Sequence, residues 1–160
     1  MKYLLSIALA ATALVATPAM AQTAPSTFTG PRIGATVGFS NDKFIGTQAF
    51  TYGAEAGYDV AVGGAVLGVT AEILDNRDTT RELALTARAG VRVGSKGLFY
   101  VTGGYSNIRT YGVTFDGVRL GVGGELALGK NAYVKLEQRY GNYQYGAHLW
   151  QSVIGAGVRF

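Results

Sequence analysis

The chain of 160 residues contains no cysteine, so neither a disulfide framework nor a thiolate metal site can be built from it. Its single histidine, His148, leaves one imidazole for any acid–base or ligating role. Beyond the first 15 residues no apolar run approaches the ~20 residues that a membrane-spanning helix needs. Basic residues do not cluster: Lys and Arg number 14 against 10 Asp and Glu, and the two signs are interspersed. A nucleic-acid binder would gather its basic residues on one face or in one segment, so no nucleic-acid partner is expected. Helix is scarce as well. All 24 glycines lie after residue 21, and glycine is costly in helices. A spanning helix is thereby excluded; a spanning barrel is not.

What is present begins with an address. Met1-Lys2, the apolar run Tyr3 to Val15 and the small-x-small Ala19-Met20-Ala21 have the layout of a secretory signal. Residues 1–21 are therefore expected to be cleaved, with the mature chain starting at Gln22. A chain of that length is one domain. Residues 22–31, Thr-, Ser- and Pro-containing with little pattern, read as a short leader, and 32–160 as the folded domain.

From Arg32 onward alternation with period two dominates, the signature of strands with two unlike faces. "RIGATVGFS" sets Ile33, Ala35, Val37 and Phe39 against Arg32, Gly34, Thr36 and Gly38. "FTYGAEAGYDV" sets Phe50, Tyr52, Ala54, Ala56, Tyr58 and Val60 against Glu55, Asp59 and small residues. The scheme repeats in "LGVTAEI", "LALTARAGVRV", "LFYVTGGYS", "GVRLGVGGELAL" and "AYVKLEQRY", and in the closing stretch from Trp150 to Phe160. Gln138 is out of pattern on the apolar face, and Ser152 shares the register of Ile154. Eight strands are predicted.

The connections alternate too. "VGGA", "GSKG" and "LGKN" are tight turns, whereas "NDKFIGTQA", "DNRDTTRE", "NIRTYGVTF" and "NYQYGAH" are longer and read as four external loops. Short periplasmic turns and longer external loops mark a transmembrane barrel, and an even strand count puts both ends on the periplasmic side. The expected fold is all-β: an eight-stranded antiparallel up-and-down transmembrane β-barrel.

Alternation alone does not say which face points inward. One face carries Arg32, Glu55, Asp59, Glu72, Arg88, Arg92, Arg119, Glu125, Lys135, Glu137, Arg139 and Arg159; the other carries no charge in any of the eight segments. An eight-stranded barrel has an interior only just wide enough for side chains. The charged face alternates long side chains with Gly, Ala and Thr, which fits that space. The apolar face holds Phe39, Phe50, Tyr52, Tyr58, Phe99, Tyr105, Tyr140, Trp150 and Phe160, which would overfill it. These aromatics fall near strand ends, where girdles at the lipid–water boundaries belong. Charge in and aromatics out is the expected arrangement, and a soluble barrel with an apolar interior is disfavoured.

The signal, the eight alternating segments, "YVKLEQRYGNY" before the last loop and the terminal "GAGVRF" resemble the small outer-membrane barrels of the opacity-protein and outer-membrane protein A type, within the porin-like family. The resemblance covers nearly the whole mature chain. It implies a bacterial outer-membrane location and recognition of Phe160 by the barrel-assembly machinery. With no sequence after the barrel, no peptidoglycan-binding domain is expected. Barrels of this type leave conduction open. The lumen charges, above all Glu55, Arg88, Arg119, Glu125, Lys135, Glu137 and Arg139, are candidates either for a salt-bridged plug or for a gate that exchanges partners.

Other chemistry is thin. An eight-stranded lipid A deacylase needs a Ser–His pair with an acid, but that family's histidine lies earlier, where "RYGNY" has none. His148 with Ser152 therefore makes no case for an enzyme. "GVGGE" and "TGG" lack the following helix of a nucleotide loop and read as barrel glycines. Tyr140, Tyr143 and Tyr145 are expected in girdle or loop packing, with surface ligands an alternative. Lys43, Arg77, Arg81 and Arg109 are placed in loops that could meet lipopolysaccharide phosphates. Neither cofactor nor metal is expected, and the partners are outer-membrane lipids and lipopolysaccharide around a monomer.

Overall fold

The computed structural model describes residues 27–42, 47–76, 80–110 and 112–160. The signal sequence, Lys43 and Arg77 lie outside the described residues. Eight strands, β1 (Gly30–Asp42), β2 (Thr47–Val62), β3 (Ala65–Asn76), β4 (Thr80–Val93), β5 (Gly97–Thr110), β6 (Val113–Leu128), β7 (Ala132–Tyr143) and β8 (His148–Arg159), follow in chain order. Each pairs antiparallel with its neighbour, and β8 closes on β1. The expected architecture is the observed one. At three turns near the termini the chain reverses through Gly63, Gly94 and Gly129, each with positive φ, a conformation glycine adopts without strain.

The register sets how the barrel is sheared. A cross-strand row started at Asp42 runs through Leu149, Gly141, Arg119, Gly104, Thr86, Thr70 and Gly57. It returns to β1 at Arg32, ten residues from its start. Such a stagger on eight strands corresponds to a tilt of about 40°. Rows therefore spiral, and residues far apart in sequence meet at one depth inside.

Both barrel ends of the chain, Gly30 and Arg159, lie at one rim, called here the terminal rim. The opposite, far rim differs from expectation. The segments expected as long loops are mostly strand, leaving only residues 43–46, 77–79, 111–112 and 144–147 between strands. The hydrogen-bond ladder continues there beyond the apolar band, so residues of both faces are polar and the composition resembles that of a loop. Arg81 and Arg109 thus stand on β4 and β5, not in loops.

The leader also differs. β1 begins at Gly30, and Phe28, which has no place in an alternating pattern, is only 1% exposed. It packs against Val66, Leu98, Tyr100 and Ala127 in the terminal mouth, with the Arg159 guanidinium 5.9 Å from its ring centre. Gly30 makes the turn with φ +103°, and a Cβ there would lie 2.2 Å from the Phe160 carbonyl oxygen.

Candidate functional site: the charged lumen

Alternation sends the charged positions of seven strands into one narrow space; β5 contributes Tyr100 and Ser106. Arg32, Arg88, Arg119, Lys135, Arg139 and Arg159 meet Glu55, Asp59, Glu72, Glu82, Glu125 and Glu137, every one 5% exposed or less. The six bases balance the six acids. Burying this many charges is tolerable only if each is paired and hydrogen-bonded.

The pairing is continuous. Near the terminal rim Arg88 grips Asp59 with two bonds of 2.7 Å and reaches Glu125 at 2.9 Å. Arg159 donates to Glu125 at 2.6 Å, and its Nη1 lies 3.2 Å from Asp59. Arg32 joins this group to the middle of the lumen, donating to Asp59 at 3.0 Å and Glu55 at 2.9 Å, and also bonding Thr70. Lys135 binds Glu55 closely and lies 3.5 Å from Glu137. Arg139 links Glu137 at 2.7 Å to Glu72 at 3.0 Å. Arg119 then links Glu72 to Glu82. Planar guanidinium groups suit such chains, since each can serve two carboxylates at once.

Neutral donors complete the shell. Tyr100 donates to Glu137 at 2.9 Å and Tyr133 to Glu55 at 3.0 Å. Glu82 receives Ser106, Tyr143 and Gln151. Glycines make the room: a Cβ on Gly68 would fall 1.9 Å from Asp59 Oδ1, and one on Gly123 would lie 2.7 Å from the Tyr100 ring. Among the central charges the remaining space is about 10 Å³, room for one water at most. Apolar side chains fill the terminal mouth (Phe28, Val66, Leu98 and Ala127), and Leu74, Ala84 and Val153 are buried beside the charges.

All seven singled-out lumen residues belong to this network. Arg92 does not: it is exposed at the terminal rim and donates to the Gly63 carbonyl at 2.9 Å, because β4 carries it past the packed interior. Glu82 was missed, since "DNRDTTRE" is polar throughout and looks like loop. Its even spacing to Ala84, Thr86 and Arg88 was the available signal. Tyr143 is another correction, an inward residue of β7 that is 4% exposed.

On the outer wall Phe39, Phe50, Tyr52, Tyr105, Tyr140 and Trp150 form a belt toward the far rim; Tyr58, Phe99 and Phe160 lie toward the terminal rim. Phe39 meets Phe50 edge-on at 5.6 Å, and Tyr140 packs on Trp150 at 5.0 Å. His148 bonds the Tyr140 hydroxyl at 2.9 Å, whereas the Ser152 hydroxyl donates to Gln138 at 2.7 Å. Each is engaged elsewhere, so the two do not form a nucleophile pair.

Residues 7–160 match the family model for the outer membrane protein beta-barrel domain. The chain belongs to this family. Its members are bacterial outer-membrane barrels, and the apolar wall of this one faces lipid. Similar solved structures include neisserial surface protein A, 15% identical with TM-score 0.55, covering 81% of this chain and 96% of that one. The N-terminal β-barrel domain of Pseudomonas aeruginosa OprF is 14% identical, TM-score 0.60, covering 82% and 99%. The outer membrane enzyme PagL is 13% identical, TM-score 0.57, covering 81% and 99%. At such identities the likeness is one of fold alone. A search of curated proteins finds no match.

Proposed function

We propose that this protein is a non-enzymatic outer-membrane barrel whose lumen is closed, serving a structural and surface-interaction role, with the terminal rim facing the periplasm. The observation that carries this reading is the charge-balanced network with about 10 Å³ of free space, stoppered by Phe28. A conducting path would need continuous water, and here side chains occupy that volume. Since the far-rim connections are short, surface contacts are made by the strand ends as much as by loops. Phe160, 70% exposed and with its N–H bonded to the Pro31 carbonyl at 2.9 Å, is proposed as the element read by the assembly machinery.

A second reading, a gated pore for ions or small solutes, has one observation in its favour. Lys135 stands between Glu55 and Glu137, so a shift of its ammonium would exchange partners without leaving it unpaired. Planar-bilayer recordings of the refolded protein separate the two. The closed barrel gives no steady channels, and both Glu137→Ala and Phe28→Ala raise the frequency of openings. Steady conductance in the parent would establish the pore and end the plug reading. The fold also occurs in PagL, described as an enzyme. Release of fatty acid from lipid A by the purified barrel would overturn the non-enzymatic assignment.

A further inference from the structure

Two polar residues interrupt the lipid-facing wall. Among the described residues, the outward strand positions between the two sets of aromatics are apolar except Gln138 on β7 and Ser152 on β8, which are register partners. Their hydrogen bond uses the serine proton and one lone pair of the amide oxygen. The amide nitrogen carries two N–H groups and has no partner among the described residues. Turning the amide over only changes what is left over: the nitrogen then donates to the hydroxyl, and the serine proton is free. Both side chains are exposed, two residues below Tyr140 and Trp150 of the far belt. On strands tilted by about 40° that is a descent of roughly 5 Å, onto the hydrocarbon side of the belt. Acyl chains accept no hydrogen bond, so an open N–H there is costly.

The surroundings suit contact with another wall. Leu120 and Val122 on β6, Leu136 on β7 and Ile154 on β8 ring the pair and stand out from the sheet, each 50–61% exposed. Small residues lie just below. A Cβ on Gly124 would meet nothing within 4 Å, and Ala156 is the register partner of Val134 on the other side of β7. The stagger of the barrel puts Gly124 and Ala156 at nearly one height. The wall across the barrel, on β3, presents Val69, Ala71 and Ile73 at mid-height and no polar group.

We propose that a second copy of this chain docks on the β6–β8 face within the membrane, with the two Gln138 amides hydrogen-bonded to each other across a two-fold axis. Each amide oxygen keeps a lone pair beside the one used by Ser152, and each nitrogen has the N–H to fill it. Such a pair is self-complementary, as an isologous contact requires, and this favours a second copy over a different protein. The axis sets β6 of one copy against β8 of the other, so Gly124 faces the partner's Ala156 and the two walls approach closely. In lipid, close packing and side-chain hydrogen bonds drive association, because apolar contact alone gains nothing over the acyl chains. The interface replaces the monomer expected from the sequence and is independent of whether the lumen conducts.

The cysteine-free chain lets a single thiol be placed at will. Leu136→Cys, beside the pair, and Ala71→Cys, on the opposite wall, are refolded into phosphatidylcholine vesicles at low protein-to-lipid ratio and oxidised. Leu136→Cys yields the disulfide-linked dimer at least about fivefold faster. Chains labelled at Ala71→Cys with donor or acceptor dyes then report dissociation by energy transfer as the vesicles are diluted with lipid. Gln138→Leu in that background raises the dissociation constant about tenfold, or about 1.4 kcal/mol. Gel mobility with and without heating confirms that each variant is folded. Equal cross-linking at the two positions, or no energy transfer at any lipid ratio, overturns the dimer. Energy transfer that Gln138→Leu leaves unchanged or strengthens overturns the amide contact.

Discussion

The inner and outer walls of this barrel are built by the same strands, one residue apart, and they obey opposite rules. On β7 Lys135, Glu137 and Arg139 point inward, each buried and each bonded to a partner. Leu136 between them points outward and is 61% exposed. Neither wall meets bulk water through most of its height. Inside, a charge survives because it is matched by another charge at hydrogen-bond distance. Outside, lipid offers no partner, so among the described residues the outward strand positions carry no charge until the far rim. The exception inside the lipid band is instructive: Gln138 and Ser152 are register partners and bond each other. A polar group there is kept by self-pairing, as it must be where the solvent cannot hydrogen-bond.

The sharpest way to break this contrast is to remove one inner partner. Asp59→Ala leaves Arg32 and Arg88 without their shared carboxylate, at a cost of about 3–5 kcal/mol in unfolding experiments in lipid vesicles. A loss below about 1 kcal/mol is what a hydrated surface pair would give, and would mean that water fills the lumen. Next comes the outer wall. Val122→Arg, or arginine at Leu136, costs about 2–4 kcal/mol by the same measurement, both side chains being exposed on the outer wall at mid-height. Neutral substitutions at both would reverse the two walls. The smallest effect is expected at the polar pair. In a double-mutant cycle with Gln138→Leu and Ser152→Ala, the coupling is about 0.6 kcal/mol, the usual size for hydrogen bonds in membranes. A coupling above about 2 kcal/mol would make the pair a structural anchor.

Much of this was legible beforehand for a simple reason. A strand with unlike faces repeats every two residues, so Phe39 and Arg32, or Leu120 and Arg119, declare opposite walls without any knowledge of their neighbours. The rule failed where pattern and composition conflict. Glu82 lies in a run of polar residues that reads as loop, while Arg92 keeps the alternation but sits beyond the packed interior. Phe28 belongs to no strand, and nothing periodic marks a lone aromatic that folds back into the mouth. Arg81 and Arg109 are visible in the sequence as basic residues near the rim, but only the closed sheet makes them register partners.

Local chemistry alone thus settles strands, walls and the barrel class, because side-chain alternation and turn glycines act over a few residues. It does not settle who meets whom. Arg139 and Glu72, or Lys135 and Glu55, are 67 and 80 residues apart in the chain. They meet because a ten-residue stagger around eight strands brings those positions to one depth. That stagger is a property of the closed sheet as a whole. The ion-pair network and the space it leaves exist only once the barrel has closed.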